Sequence, residues 1–542
     1  MPNKYSAFIA ISLLALLLIS SLSIVATASS ATSASSSSGA KETPPYFDYF
    51  YGSSLASAQP SPYCNIGTAS APFDLMCYTP QDIKRAYNYP PTTGPNALTG
   101  AGQTIVIIDA YGSPTVQSDL NTFDTEFGLP ATTIQYECEG ATAPTPGACP
   151  FPSPSSVTYS DAQNWGGEIA LDTQYSHAMA PGAKIVLFET YGLDLPAPWY
   201  TPWADDDYVM AEGALQAVTA FPHSIISQSW GDSEQDILLA PSWYITGLLS
   251  TSATAYSTAA RTGTTVFASA GDWGADNCAI VSCTAITDEA NPLFPSSSPW
   301  VTAVGGTMGN PYYLGPTTDQ GPSGVPTSGI PTCNGRWICS TGLVNFLNSP
   351  SCQLDTLTPT ATASCIPVGY GGEQVWNEPF IDAATGGAPS LIFPVPSYQA
   401  GLKSCTVSDG CTPLTGRATP DISYNAAVSG GVLTVISGEW YIVGGTSAGS
   451  PQWSAIAALA DQFATEHHGR TIGFINPTLY MIGHIPSLYS RDFHDIAVGN
   501  NEVYTSPDNV GFTAQKGWDD ASGWGTPNVA NLIPDLVFLT FS

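Results

Sequence analysis

Cationic side chains are scarce: 12 Lys and Arg stand against 43 Asp and Glu in 542 residues, a formal charge of −31 at pH 7. That imbalance excludes a nucleic-acid partner, because a phosphate backbone would be repelled. It also caps self-repulsion in acid. With every carboxyl protonated, the basic residues and the 6 His leave at most +18, so the usual drive toward acid unfolding is weak. A solvated acidic surface and an acidic working medium both fit this composition. No CxxC pair is present among the 12 cysteines, which argues against zinc and for disulfides in an oxidising compartment. Proximity suggests the pairs Cys64/Cys77, Cys138/Cys149, Cys278/Cys283, Cys352/Cys365 and Cys405/Cys411. Internal repeats are absent, and only one long apolar stretch occurs.

That stretch runs over residues 8–25, behind Lys4 and ahead of Ala26-Thr27-Ala28, a small-x-small cleavage site. Residues 1–28 therefore read as an export signal, with an uncleaved anchor as the competing reading. Cleavage would leave a secreted chain with no stable membrane association, expected to be monomeric. Residues 29–76 read as a Ser-rich linker and a short N-terminal segment, and residues 77–542 as the main domain. Hydrophobic residues make up 43% of the chain, enough for a sizeable core.

Short β-branched runs at 104–109 (TIVIID), 184–189 (KIVLFE), 224–230, 264–271 and 300–306 predict buried strands. Helical patterns at 166–179, around 211–220 and at 242–260 lie between them. The alternation predicts an α/β fold, a mostly parallel sheet with helices on both faces. Ligand sites on such sheets lie beyond the carboxyl ends of the strands. Residues 307–415, rich in Gly, Pro, Ser, Thr and Cys, read as a loop-rich insertion.

Glu168 and Asp172 stand at i and i+4 on one predicted helix and share a face. On a surface helix such a pair merely repels. Where it is buried, one pKa rises and the pair can hold or release a proton in acid. Ser447 follows a strand-like YIV and two glycines and precedes a helical pattern. Free N–H groups at a helix start stabilise developing negative charge, which suits a nucleophilic serine as well as an ordinary N-cap. Asp272 ends the apolar strand in SAGDWG, where a protonated carboxyl can donate to an oxyanion. Asp109, at the end of the first strand, reads as a turn or cap residue, and His177 as a packing residue. Near the C-terminus, Asp495 and Asp519 flank Gly-rich backbone that can supply oxygens to a hard cation such as Ca²⁺, without EF-hand spacing.

Taken in order, these segments resemble the sedolisin (serine-carboxyl peptidase) family. The match runs from YTPQDIKRAYN at 78–88 to Pro527. It includes Glu168, Leu171 and Asp172 followed by Ala180-Pro181-Gly182-Ala183, then Ser227-Gln228-Ser229-Trp230-Gly231. SAGDWG at 269–274 and Gly445-Thr446-Ser447 through Pro451 follow. FPSSSPWVTAVGGT, WNEP and TPDISYNA also look like family landmarks.

The resemblance implies a subtilisin-like fold and an acid-active endopeptidase acting on polypeptides. In it Ser447 is the nucleophile, Glu168 the general base, Asp172 its proton-sharing partner and Asp272 the oxyanion-hole acid. It also implies a Ca²⁺ site of Asp495, Asp519 and the carbonyls of Ile496, Gln515 and Gly517, with Gln515 standing where many relatives carry Gly. Only about fifty residues separate the signal from the catalytic region, shorter than the family's usual pro-domain. A catalytically inactive scaffold on the same fold is the alternative. An ordinary Ser-His-Asp subtilase is disfavoured, since no H-G-T-like segment is present.

Overall fold

The apolar runs pair side by side into one sheet whose two faces are covered by different helices. The computed structural model describes residues 74–542, apart from 157, 192–204, 278–289, 310–369 (except 332–333 and 337–338), 371, 380 and 504–509. It also describes 47–52 and 63–65. The signal and most of the linker, and the pairs Cys278/Cys283 and Cys352/Cys365, lie outside the described residues.

In chain order the strands used below are β1 (Phe47–Gly52), β2 (Tyr63–Asn65), β3 (Asp74–Tyr78), β4 (Thr104–Ala110), β5 (Gln135–Cys138), β6 (Thr145–Pro146) and β7 (Lys184–Thr190). They continue with β8 (Ile225–Gln228), β9 (Thr265–Ser269), β10 (Thr302–Met308), β11 (Gln374–Val375), β12 (Ile422–Asn425), β13 (Gly431–Ile436) and β14 (Glu439–Gly444). The principal helices are α1 (Val116–Phe127), α2 (Tyr159–Met179), α3 (Asp205–Ala220), α4 (Ser242–Thr262) and α5 (Gly449–His468).

The main sheet runs β11-β10-β9-β8-β4-β7-β5-β6, with β12 also paired to β10. Its centre is parallel, from β12 through β10, β9, β8, β4 and β7 to β5. Alternation along the strands divides the core. Ile105, Ile107, Ile185, Leu187 and Phe267 pack with Ile169, Leu171, Tyr175 and Trp453 of α2 and α5. Val106, Ile108, Val186, Phe188 and Val266 face Met210, Ala214, Ala217, Tyr256 and Ala259 of α3 and α4. That two-sided burial explains why these strands read as unbroken apolar runs.

A second sheet, β1-β14-β13-β3-β2, carries the hairpin that leads to Ser447. Within the stretch read as an insertion, β11 pairs with the end of β10, and the adjoining Trp376 is buried. Disulfides join Cys138 to Cys149 and Cys405 to Cys411, and Cys77 is also disulfide-bonded. No free cysteine occurs among the described residues.

One buried ion pair ties these layers together. Arg417 Nη2 lies 2.6 Å from Asp421 Oδ2, with both side chains inaccessible. Asp421 also accepts from the Ala303 N–H (2.8 Å) and the Tyr480 hydroxyl (2.8 Å). Removing one partner of such a pair strands a charge in the core. Arg417→Ala should therefore cost about 3–5 kcal/mol in urea unfolding. A variant as stable as the wild type would show that water or rearrangement satisfies Asp421.

Candidate active site

Helix α2 is buried from Gly167 to Met179, so Glu168 and Asp172 project into the protein rather than into solvent. Both are inaccessible, as are Ser447 and Asp272. The structure brings these four residues together. The Ser229 hydroxyl donates to both Asp172 oxygens, at 3.0 and 2.9 Å. Glu168 interacts with Asp172 beside it and with the Ser447 hydroxyl. The Glu168 oxygens and Ser447 Oγ nevertheless lack a partner at full hydrogen-bonding geometry. Hydroxyl and carboxyl thus face each other without a closed bond, as is common before substrate arrives.

Ser447 lies in a 3₁₀ turn, Thr446–Ala448, two residues ahead of the first residue of α5. Gly445 enters that turn at φ +117°, a left-handed value that favours glycine. Thr446 fixes the next acid. Its N–H and hydroxyl both donate to Asp272 Oδ1, at 2.8 and 2.7 Å, and its hydroxyl accepts from the Gly271 N–H at 3.1 Å. Asp272 Oδ2 is buried and has no partner, which leaves it free to donate when protonated.

Burial dominates the electrostatics. Desolvation pushes Asp272 up to about 8 despite the two Thr446 bonds. It also pushes Asp172 up to about 8, against the opposing bonds from Ser229 and Glu168. Glu168 is raised well above the usual range by burial, then by the charges of Asp172 and Asp109, with Ser447 opposing.

Asp109 corrects the sequence reading. It caps no turn: it is inaccessible, and neither oxygen accepts a hydrogen bond. Burial and the neighbouring Asp172 and Glu189 hold its pKa well above normal. Glu189 stands beside it in register on β7, accepts from the Cys149 N–H, and is pushed up to about 7. The sequence offered one signal: β4 and β7 both end their apolar runs in an acid. His177 is a packing residue, as its position suggested. It is buried, with Nε2 2.7 Å from the Pro130 carbonyl and 3.4 Å from Asp124.

Gln174 and Tyr175 escaped the sequence reading altogether. The Gln174 amide donates to the Val435 carbonyl (2.7 Å) and accepts from its N–H (2.9 Å). The Tyr175 hydroxyl donates to the Leu433 carbonyl at 2.9 Å. Together they dock the acid-bearing helix onto the hairpin that leads to Ser447.

Asp495 and Asp519 meet around the loop at 515–519. Gly517 N–H donates to Asp495 Oδ1 (2.9 Å), Gln515 N–H to Asp519 Oδ2 (2.7 Å), and the Tyr489 hydroxyl to Asp495 Oδ1 (2.8 Å). The N–H groups of Gln515 and Gly517, rather than their carbonyls, point at the carboxylates. Ile496 is buried, its carbonyl 3.5 Å from Ser522 Oγ. Among the described residues no group of three or more His, Cys, Asp or Glu is arranged to hold a metal. Two carboxylates with backbone oxygens nearby are still a donor set of the kind a hard cation takes.

The fold and site define a class: a subtilisin-like α/β architecture in which a serine faces buried carboxyl groups. The chain is similar to sedolisins over most of its length. It is 28% identical over 473 residues to kumamolisin of Bacillus sp. (strain MN-32), covering 85% of this chain and 64% of that one. It is 27% identical over 451 residues to sedolisin of Pseudomonas sp. (strain 101), covering 81% and 58%. Tripeptidyl-peptidase 1 of Homo sapiens is 34% identical over 197 residues, a third of each chain. Among solved structures, Pseudomonas sedolisin complexed with two molecules of pseudo-iodotyrostatin matches with a TM-score of 0.58 and 25% identity. That match covers 85% of this chain and 98% of the other. No family profile matches. The chain spans 64%, 56% and 47% of the length of kumamolisin, physarolisin and xanthomonalisin.

The raised carboxyls fix a stability profile. A group whose folded pKa exceeds its unfolded one favours the folded state fully below the unfolded value, and that contribution is lost as pH rises through the folded value. For Asp272 and Asp172 the window runs from the ordinary 3.8 to about 8. The melting temperature should therefore be highest in acid and fall across that range. Asp272→Asn, which keeps an acceptor for Thr446, should flatten the fall. A melting temperature that rises from pH 4 to 8 would contradict the assignment.

Proposed function

We propose that the chain is a secreted, acid-active serine-carboxyl endopeptidase that cleaves polypeptides through an acyl-enzyme intermediate. The observation that carries this reading is the Ser447 hydroxyl facing a buried carboxyl cluster. The sedolisin kinship of most of the chain supports it, and the absence of a membrane-spanning helix among the described residues is compatible with it. A catalytically inactive scaffold is not favoured, since Glu168, Asp172, Asp272 and Ser447 are all present.

In the first step Glu168 accepts the Ser447 proton as the oxygen attacks the scissile carbonyl carbon. The resulting oxyanion takes hydrogen bonds from protonated Asp272 and a backbone N–H. Collapse breaks the C–N bond, and Glu168 returns the proton to the departing amine. Water then repeats the sequence on the ester, releasing the second product and restoring Ser447. Glu168 and Asp172 titrate as a unit: losing one shared proton leaves a carboxylate toward Ser447, while the second proton stays in the pair. Asp272 must keep its proton, so activity falls as pH rises toward its value of about 8.

Asp495, Asp519 and the carbonyls of Ile496, Gln515 and Gly517 would be the residues to hold a calcium ion, although in this structure the N–H groups of Gln515 and Gly517 face the carboxylates. When bound it supplies positive charge that pins this C-terminal loop.

Hydrolysis of denatured protein should be strong in acid and fall toward neutral pH, and Ser447→Ala should abolish it. A flat or alkaline profile, or activity retained by Ser447→Ala, would overturn the reading. Asp272→Ala should lower kcat by about 10²–10³-fold with little change in KM. A chelator should lower the melting temperature of the wild type and leave that of Asp495→Ala unchanged.

A further inference from the structure

The strand that delivers Ser447 has its free edge filled by the chain's own N-terminal segment. β14 pairs with β13 on one side and with β1 on the other, and β1 is the outermost strand of its sheet. The β1–β14 pairing is antiparallel and in register from Phe47 opposite Gly444 to Phe50 opposite Tyr441, with an irregularity before Gly52. Gly444 is three residues before Ser447, so β1 begins at the end of β14 that leads into the nucleophile and runs away from it.

Direction gives this placement its meaning. A polypeptide that passes the Ser447 hydroxyl and continues in the sense of β1 lays the residues after its scissile bond along β14. Residues of a substrate that form the leaving group would therefore add as a strand to the edge that β1 already holds. An edge strand offers one row of N–H and C=O groups, and two chains cannot use that row at once.

We propose that β1 is a built-in occupant of the leaving-group side of the cleft, and that it sets how substrates are recognised there. This rests on the peptidase reading above. Substrate residues more than about two or three beyond the scissile bond find no free backbone partner on β14, so lengthening the leaving group gains nothing. The acyl side, which does not meet β1, keeps its length dependence.

The test compares kcat/KM in acid for two peptide series, one lengthened from two to six residues after the scissile bond and one lengthened before it. The enzymes are the full-length wild type and the full-length double variant Tyr49→Pro/Phe50→Pro, whose adjacent prolines remove ladder donors from β1. The wild type should be flat, within about twofold, on the leaving-group series. The variant should gain about tenfold for the longest member of that series while keeping wild-type rates on the shortest. Deletion of residues 47–52 serves as the second variant and should behave the same way.

An identical leaving-group profile in all three enzymes would overturn the proposal. So would a gain confined to the acyl-side series, or an equal loss on every peptide. Failure of the peptidase reading looks different: no peptide of either series is then cut by the wild type, or Ser447→Ala cuts them all.

Discussion

The grip of Gln174 on Val435 is the contact on which the active geometry depends. One side-chain amide satisfies both the N–H and the C=O of a single strand residue, 261 positions away in sequence. It stands two residues after Asp172, in the part of the helix buried from Gly167 to Met179. The hairpin it holds runs through β14 into Gly445 and Ser447. Acids and hydroxyl belong to segments far apart in the chain, and this clamp, reinforced by Tyr175, sets the distance between them. A buried amide with both ends satisfied adds rigidity where a half-satisfied one would be a liability.

The second constraint is electrostatic. Burying Glu168, Asp172, Asp109, Asp272 and Glu189 costs little when they are protonated and much when they are charged. The chain has few cations to pay that cost, and in the core described here Arg417 serves Asp421 rather than the active site. Low pH therefore relieves the folded state of its most expensive charges while keeping Asp272 able to donate. Stability and the donor role of Asp272 favour the same pH range for one reason, desolvation, whereas the base role of Glu168 needs one proton of the Glu168–Asp172 pair to leave.

Much of this was legible from sequence because the signals were local. β-branched runs at 104–109 and 184–189 became β4 and β7, and the i, i+4 spacing placed Glu168 and Asp172 on one face of α2. The glycines before Ser447 signalled the sharp turn into it, although the 3₁₀ form of that turn ahead of α5 was not legible. What escaped was set by tertiary packing. Asp109 ends a strand, where an aspartate commonly caps a turn, and only the neighbouring β7 and α2 reveal it as a buried acid. Gln174 looks like any polar helix residue until the hairpin is in place. β1 carries no strand pattern of its own that stands out from a Pro- and Tyr-containing stretch. It is a strand because β14 offers it an edge.

The register of β4 and β7 has one more outcome. Asp109 and Glu189 are lateral neighbours in a parallel ladder, and such strands sit about 4.8 Å apart. Backbone bonds on either side fix that spacing, so a charge on Glu189 helps to raise the pKa of Asp109. A hydrogen shared by groups buried in this way should exchange with solvent only as the sheet's end opens.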